Sequence, residues 1–272
     1  MDGVSPIPHV GAANPAEGLT ALRLHGVVAI DGAIAGERID SLRDAVMTRH
    51  PEFADKGRLT DFQDNGEGRF IAPVAISRAV VDSGLLRHPA LVALAAGALG
   101  EDWVVDAFGM LMAFPGCCEQ KPHRDGEALF PDAPLGAILP PFALTVLFPL
   151  VDVEADNGAT AFLPGTHRYD AKLAAAGPST TSVKRGSFLV WDFETLHWGL
   201  PNASDHARPA LYFTLCRPFW MDTANFGGSS RVRLAVDDDV VPLLDRRFAR
   251  ATAGGGKWAH AGLGKALKKV SG

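Results

Sequence analysis

Disulfides are the first thing this chain lacks. Its 272 residues hold three cysteines, Cys117 and Cys118 adjacent and Cys216 inside an apolar run, which is no framework of paired bridges. Such usage points to a reducing compartment. A secretory leader is not expected either, because Met1 to Pro15 shows no basic stretch followed by an apolar one. The most apolar segment, Leu135 to Val151, is interrupted by Pro140, Pro141 and Pro149 and is too short for a membrane span. Excess positive charge is missing too. The formal net charge is −5 and the pI about 6, so nothing favours a nucleic-acid partner. The one basic cluster, Lys257, Lys265, Lys268 and Lys269, reads as a solvated tail. No repeat of roughly 20 to 50 residues divides the chain. What these absences leave as the expected default is a soluble, cytoplasmic protein with neither a membrane nor a nucleic-acid partner. A chain of this length buries roughly three-quarters of its unfolded surface, enough for a sealed interior site.

Residues 1–15 read as a flexible N-terminus. Residues 16–50 read as helix, strand and helix: the strand is Gly26 to Ile30, and Ile39, Leu42, Ala45 and Val46 fall at helical spacing after Gly36. Residues 51–70, polar and rich in Asp and Gly, suit an exposed loop. His88-Pro89 opens a short apolar helix, Ala90 to Leu99, stopped by Gly100. From Trp103 the pattern changes to apolar runs at 103–114, 143–151, 159–163, 186–192 and 209–217, separated by Gly, Pro, Asn and Asp. Short, regularly spaced strands of this kind predict a β-sandwich or barrel, here mainly β with a helical layer packed outside. That domain is expected over 16–226. Beyond it, 227–272 reads as an extension, with one more helix over Val240 to Arg250 and a Gly-rich joint from Ala251 to Gly256.

The chemistry begins at His123-Arg124-Asp125. In extended backbone, side chains two apart emerge on one face roughly 6.5–7 Å apart, so one metal ion can take an imidazole and a carboxylate together. With 22 Asp and nine His in the chain, one such pair is nearly expected by chance. Its setting adds weight: it follows an apolar strand and a Pro-Gly turn, where a β-core presents residues to its mouth. A third candidate, His197, closes the strand Phe188 to Trp191. Two imidazoles and one carboxylate, with three coordination positions left over, describe the facial triad of oxygen-activating iron enzymes; structural zinc wants four ligands and usually cysteine. Arg208 heads the next strand. Alone it reads as a surface cation; beside a triad it reads as the partner of a dicarboxylic acid, since an unpaired buried charge costs about 3–5 kcal/mol and a carboxylate can pair with it bidentately.

Several ordered motifs then carry a resemblance. Gln120-Lys121-Pro122-His123-Arg124-Asp125, Asp156-Asn157-Gly158-Ala159-Thr160, Pro164-Gly165-Thr166-His167, His197 and Arg208 resemble the phytanoyl-CoA dioxygenase family, in particular its natural-product branch, over roughly residues 18–220. The resemblance implies a double-stranded β-helix, or jelly roll, with iron(II), 2-oxoglutarate and O2. It implies that His123, Asp125 and His197 ligate iron, that Arg208 pairs with the distal carboxylate of 2-oxoglutarate, and that Gln120 and Thr160 hydrogen-bond the same molecule. Pro164 to His167 would shape a turn. Three departures stand out: Leu147 where many members have Trp, Gly186-Ser187 where they have Gly-Asp, and Gly199 where they have Ser. Each is expected to loosen the outline of the co-substrate pocket. Asp125 is present, unlike in chlorinating relatives. Hydroxylation of a small, largely apolar metabolite, with release of succinate and CO2, is the implied outcome.

Other readings compete for some residues. His167 rivals His197 as a ligand, but follows a Pro-Gly-Thr turn. His206 looks like a loop residue, Cys117 and Cys118 like neighbours of the metal rather than its ligands, and Asp237-Asp238-Asp239 like a solvated turn. Met110, Met112, Phe130, Phe193 and Trp198 could line a substrate pocket or simply pack the core. Two alternatives fit the same motifs: a catalytically silent metal-binding jelly roll, and a cupin-type iron dioxygenase that uses no keto acid.

Overall fold

A computed structural model of the chain describes residues 7–55, 63–64, 66–130, 138–168, 177–180, 182–223 and 234–253. In chain order the elements are β1 (His9–Gly11), α1 (Pro15–His25), β2 (Val27–Asp31), α2 (Gly36–Arg49), β3 (Gln63–Asp64), β4 (Arg69–Pro73), α3 (Arg78–Asp82), α4 (Pro89–Leu99), β5 (Val104–Ala113), β6 (Ala143–Pro149), β7 (Thr160–Phe162), β8 (Ser179–Thr180), β9 (Phe188–Asp192), β10 (His197–Gly199), β11 (Arg208–Cys216), β12 (Ala235–Val236) and β13 (Thr252–Ala253). One sheet has eight strands in the order β1-β2-β9-β6-β11-β5-β4-β3, and a second has three, β10-β7-β8. Together they form the jelly roll.

The large sheet is covered on both faces. On one side Phe188 and Val190 of β9, Leu144, Val146 and Phe148 of β6, and Leu211, Phe213 and Leu215 of β11 share a core with Leu22 of α1, Ile39, Leu42 and Val46 of α2, and Leu91 and Leu94 of α4. On the other side Leu189 and Trp191, Leu147, and Ala210 pack with Phe162 of β7. Strands buried on both faces read as nearly continuous apolar runs, so the sequence shows where they lie but not which residues face which layer. Met110 and Met112 of β5 fall on the helix side, in the first of these cores, and are not pocket residues.

Local chemistry explains the helices. Pro15 occupies the first turn of α1, where its missing N–H costs nothing. Gly26 ends that helix in the left-handed conformation, φ 77°, with its N–H bonded to the Leu22 carbonyl. His88 caps α4 through a side chain that accepts from the Ala90 N–H at 3.3 Å.

Three expectations need correction. Within residues 1–15, β1 pairs in parallel with β2, because Val10 is buried against the sheet; the flexible reading does not hold there. Residues 51–70 include β4, which pairs with β5, rather than loop alone. Val240 to Arg250 is not one helix but two single 3-10 turns, Val241–Leu243 and Arg246–Phe248. Pro242 is tolerated only near a helix start, and the Asp245 side chain, accepting from the Arg247 N–H, starts the second turn afresh. Residues 254–272, with the four lysines and the second half of the Gly-rich joint, lie outside the described residues. Among the described residues, no helix is long and apolar enough to cross a membrane.

Candidate active site

The site lies between the two sheets. His197 begins β10 in the small sheet, and His123 pairs with it across a reciprocal backbone bridge: each N–H donates to the other's carbonyl at 2.9 Å. That bridge sets the imidazoles side by side, ring centroids 4.6 Å apart. Asp125 follows on the loop, its N–H on the Phe193 carbonyl. One ligand atom from each of His123, Asp125 and His197 lies within 4.8 Å of the others. Both imidazoles use Nδ1 on a backbone carbonyl, His123 on Lys121 and His197 on Thr195, each at 2.9 Å. A carbonyl can only accept, so Nδ1 carries the hydrogen and Nε2 keeps its lone pair. Burial pushes the His197 pKa down; Asp125 opposes this and His123 adds to it, which favours the neutral, ligating form. Asp125 Oδ1 lies 3.6 Å from His197 Nε2, while Oδ2 accepts from Thr145 Oγ1 at 2.5 Å and Trp191 Nε1 at 2.8 Å.

Arg208 lies in the same pocket, and with it an arginine that sequence reasoning missed. Arg208 and Arg69 both pair in register with Ala113, one on each side of β5, so both enter the interior from one row of the sheet. Each is about 1% exposed. Arg69 donates to the Leu200 carbonyl, but its Nε, and Nε and Nη1 of Arg208, are buried without a partner. No acidic side chain among the described residues pairs with either guanidinium. Burial first, then the neighbouring Arg69, push the Arg208 pKa down to about 9, with Cys117 opposing. Two desolvated cations without an anion are what a carboxylate ligand would relieve.

The remaining candidates divide. Gln120 and Thr160 line the pocket; Gln120 Oε1 accepts from the Gly199 N–H at 2.7 Å, and Thr160 pairs across from Gly199. Leu147, Gly199 and Phe193 line it as well. A Cβ on Gly199 would lie 2.5 Å from Arg69 Cζ and 2.6 Å from Gln120 Oε1. The absent serine is thus explained: Arg69 fills its space, and the outline there is tight rather than loose. Ser187 sits away from the pocket, its Oγ accepting from the Gly32 N–H. His167 is buried elsewhere, Nε2 on the Arg23 carbonyl at 3.1 Å. His206 is exposed beside Asp205, Trp198 donates to Glu119 at 2.7 Å, and Phe130 is half exposed. Cys117 is buried against Gly68, whereas Cys118 is exposed. The whole opening, including space continuous with solvent, measures about 930 Å³.

Two neutral imidazoles, one carboxylate and orphaned guanidinium nitrogens fit an iron(II) ion and a diacid. Comparison with known proteins agrees: the family model for phytanoyl-CoA dioxygenase (PhyH) matches residues 22–210. The chain belongs to the phytanoyl-CoA dioxygenase family. It is an oxygenase dependent on iron(II), 2-oxoglutarate and O2. Among curated relatives, dioxygenase trt7 of Aspergillus terreus is 23% identical over 210 residues, 74% of this chain and 73% of the relative. Among solved structures, AviO1 from Streptomyces viridochromogenes matches with TM-score 0.58 and 22% identity, over 75% of this chain and 95% of that one. The epimerase SnoN, in complex with Fe3+, alpha ketoglutarate and nogalamycin RO, matches with TM-score 0.57 and 17% identity, over 82% and 93%.

Proposed function

We propose that this dioxygenase hydroxylates a carbon of a small, largely apolar metabolite of the natural-product kind, converting 2-oxoglutarate and O2 into succinate and CO2. His123, Asp125 and His197 would hold the iron through the two Nε2 atoms and Oδ1. Arg208 would clamp the distal carboxylate of 2-oxoglutarate, with Arg69 beside it and with Gln120 and Thr160 as hydrogen-bonding neighbours. When bound, iron(II) supplies the oxygen-activating redox chemistry, and 2-oxoglutarate the electrons its decarboxylation releases. The chain's own part is to fix both, orient the substrate and keep water out.

The observation that carries this reading is the shared pocket: a three-ligand cluster and two buried, incompletely paired guanidiniums open into one cavity. An apolar substrate is supported by the wall beyond the triad. There Phe193, which lines the pocket, packs against Phe142 and Trp220 with ring centroids 6.2 and 5.0 Å away. The SnoN neighbour, bound to nogalamycin RO, supports a ring-bearing natural product. Succinate release dependent on both iron and 2-oxoglutarate is the direct assay. Asp125→Ala and Arg208→Ala should each abolish it; unchanged release in Asp125→Ala would overturn the assignment, and substrate oxidation that survives both omission of 2-oxoglutarate and Arg208→Ala would favour a keto-acid-independent dioxygenase.

A further inference from the structure

We propose that Thr145 and Trp191 are positioning residues that hold Asp125 as a one-oxygen ligand and so keep a coordination position open. The inference rests on the metal assignment just made, and concerns residues outside the ligand set.

Asp125 stands on a loop, outside any strand, so backbone pairing alone does little to aim its carboxylate. Two side chains of the large sheet aim it instead. Thr145 and Trp191 are a cross-strand pair, β6 against β9, and the register sends both inward. Their donors converge on a single oxygen, Oδ2, at 2.5 and 2.8 Å. A carboxylate oxygen has two lone pairs in its plane, and two donors occupy both. What remains for an ion is Oδ1, the oxygen turned toward His197 Nε2. An ion held by three protein atoms would keep three further positions for co-substrate and O2. A carboxylate free to rotate could chelate through both oxygens and take one of those three. Trp191 is itself held: its ring lies 5.4 Å from that of Phe162 and 5.1 Å from that of His197. The donor is therefore fixed by packing before any ion arrives, as in other metal sites where outer partners orient the ligands.

The test uses metal-free full-length protein and cobalt(II) as probe, read by calorimetry and by the visible bands of the bound ion. Thr145→Val keeps shape and Trp191→Phe keeps an aromatic ring, and each removes one donor. Each should weaken cobalt binding about tenfold and the double variant about a hundredfold, and 2-oxoglutarate should perturb the cobalt bands of the double variant only at higher concentration. Thr145→Ser keeps the hydroxyl and should bind like the parent. A double variant that binds cobalt and 2-oxoglutarate within twofold of the parent overturns the proposal. Should it fail to fold, the Thr145→Val and Thr145→Ser pair decides, equal affinities being the overturning result. Asp125→Ala separates the two levels. If it binds cobalt as the parent does, the metal assignment itself is wrong; if it loses cobalt while the donor variants do not, only the positioning role falls.

Discussion

Arg208 and Arg69 enter the interior from either side of Ala113, and because no acidic side chain among the described residues pairs with them their burial is expensive. Replacing a buried ion by an apolar side chain is often neutral or stabilising, whereas a bound acid supplies the missing partner. Arg208→Met should therefore leave the ligand-free protein at least as stable as the parent. It should also abolish the added stability that 2-oxoglutarate gives the parent, about 2.7 kcal/mol at a hundred times its dissociation constant. Denaturation with and without 2-oxoglutarate measures both. Gly199→Ser is the complementary change. Its Cβ would press on Arg69 and Gln120, and such overpacking costs about 1–3 kcal/mol, to be read as weaker 2-oxoglutarate binding by calorimetry. That His123, Asp125, His197 and Arg208 would meet in one pocket was legible, because their residue types and order carry the pattern. Arg69 was not. It heads a strand inside a polar stretch, and only its register with Ala113 turns it inward. Nothing in the sequence marked Thr145 or Trp191 either, since both lie in strands buried on each face.

Among the elements, the long strands and the helices α1, α2 and α4 were readable from period and punctuation. Of the two- and three-residue strands only β7, inside the apolar run at 159–163, was readable; the others are too short to show alternation. The 3-10 turns of the C-terminal extension replaced a helix because Pro242 and Asp245 each restart the backbone. That extension is not idle. Arg250 donates to Asp106 of β5 at 2.6 Å, and to the carbonyls of Trp220 and Pro218, both at 2.7 Å. Asp106 is wholly buried, and its other oxygen accepts from the Asp222 N–H at 3.1 Å. Arg250→Met would take the guanidinium away from that buried carboxylate, a loss of about 3–5 kcal/mol. A urea titration should show it as a lower midpoint, with Arg250→Lys intermediate.

For the molecule as a whole, two buried carboxyls contribute a fall in stability as the pH rises from acid to neutral. Asp192, at the end of β9, has its pKa raised from 3.8 to about 7, chiefly by burial; Glu194 is raised too, again by burial. A raised carboxyl binds its proton more tightly in the native state than in the unfolded chain. The native state is then favoured at low pH and loses that advantage as pH climbs from about 4 to about 7. Asp192→Asn removes the ionisation and keeps the oxygen that accepts from the Glu194 N–H. Its unfolding free energy should exceed that of the parent by up to about 4 kcal/mol at pH 8, with the gap closing toward pH 4. The segment at 217–222 bears on a different property. The family match ends at residue 210, yet Trp220 backs Phe193, Asp222 faces the pocket, and Arg250 ties their backbone down. The His-Asp-His cluster and part of the pocket wall and its backing thus belong to successive stretches of one polypeptide. Grafting a relative's distal stretch onto this core would redirect selectivity and leave keto-acid consumption intact.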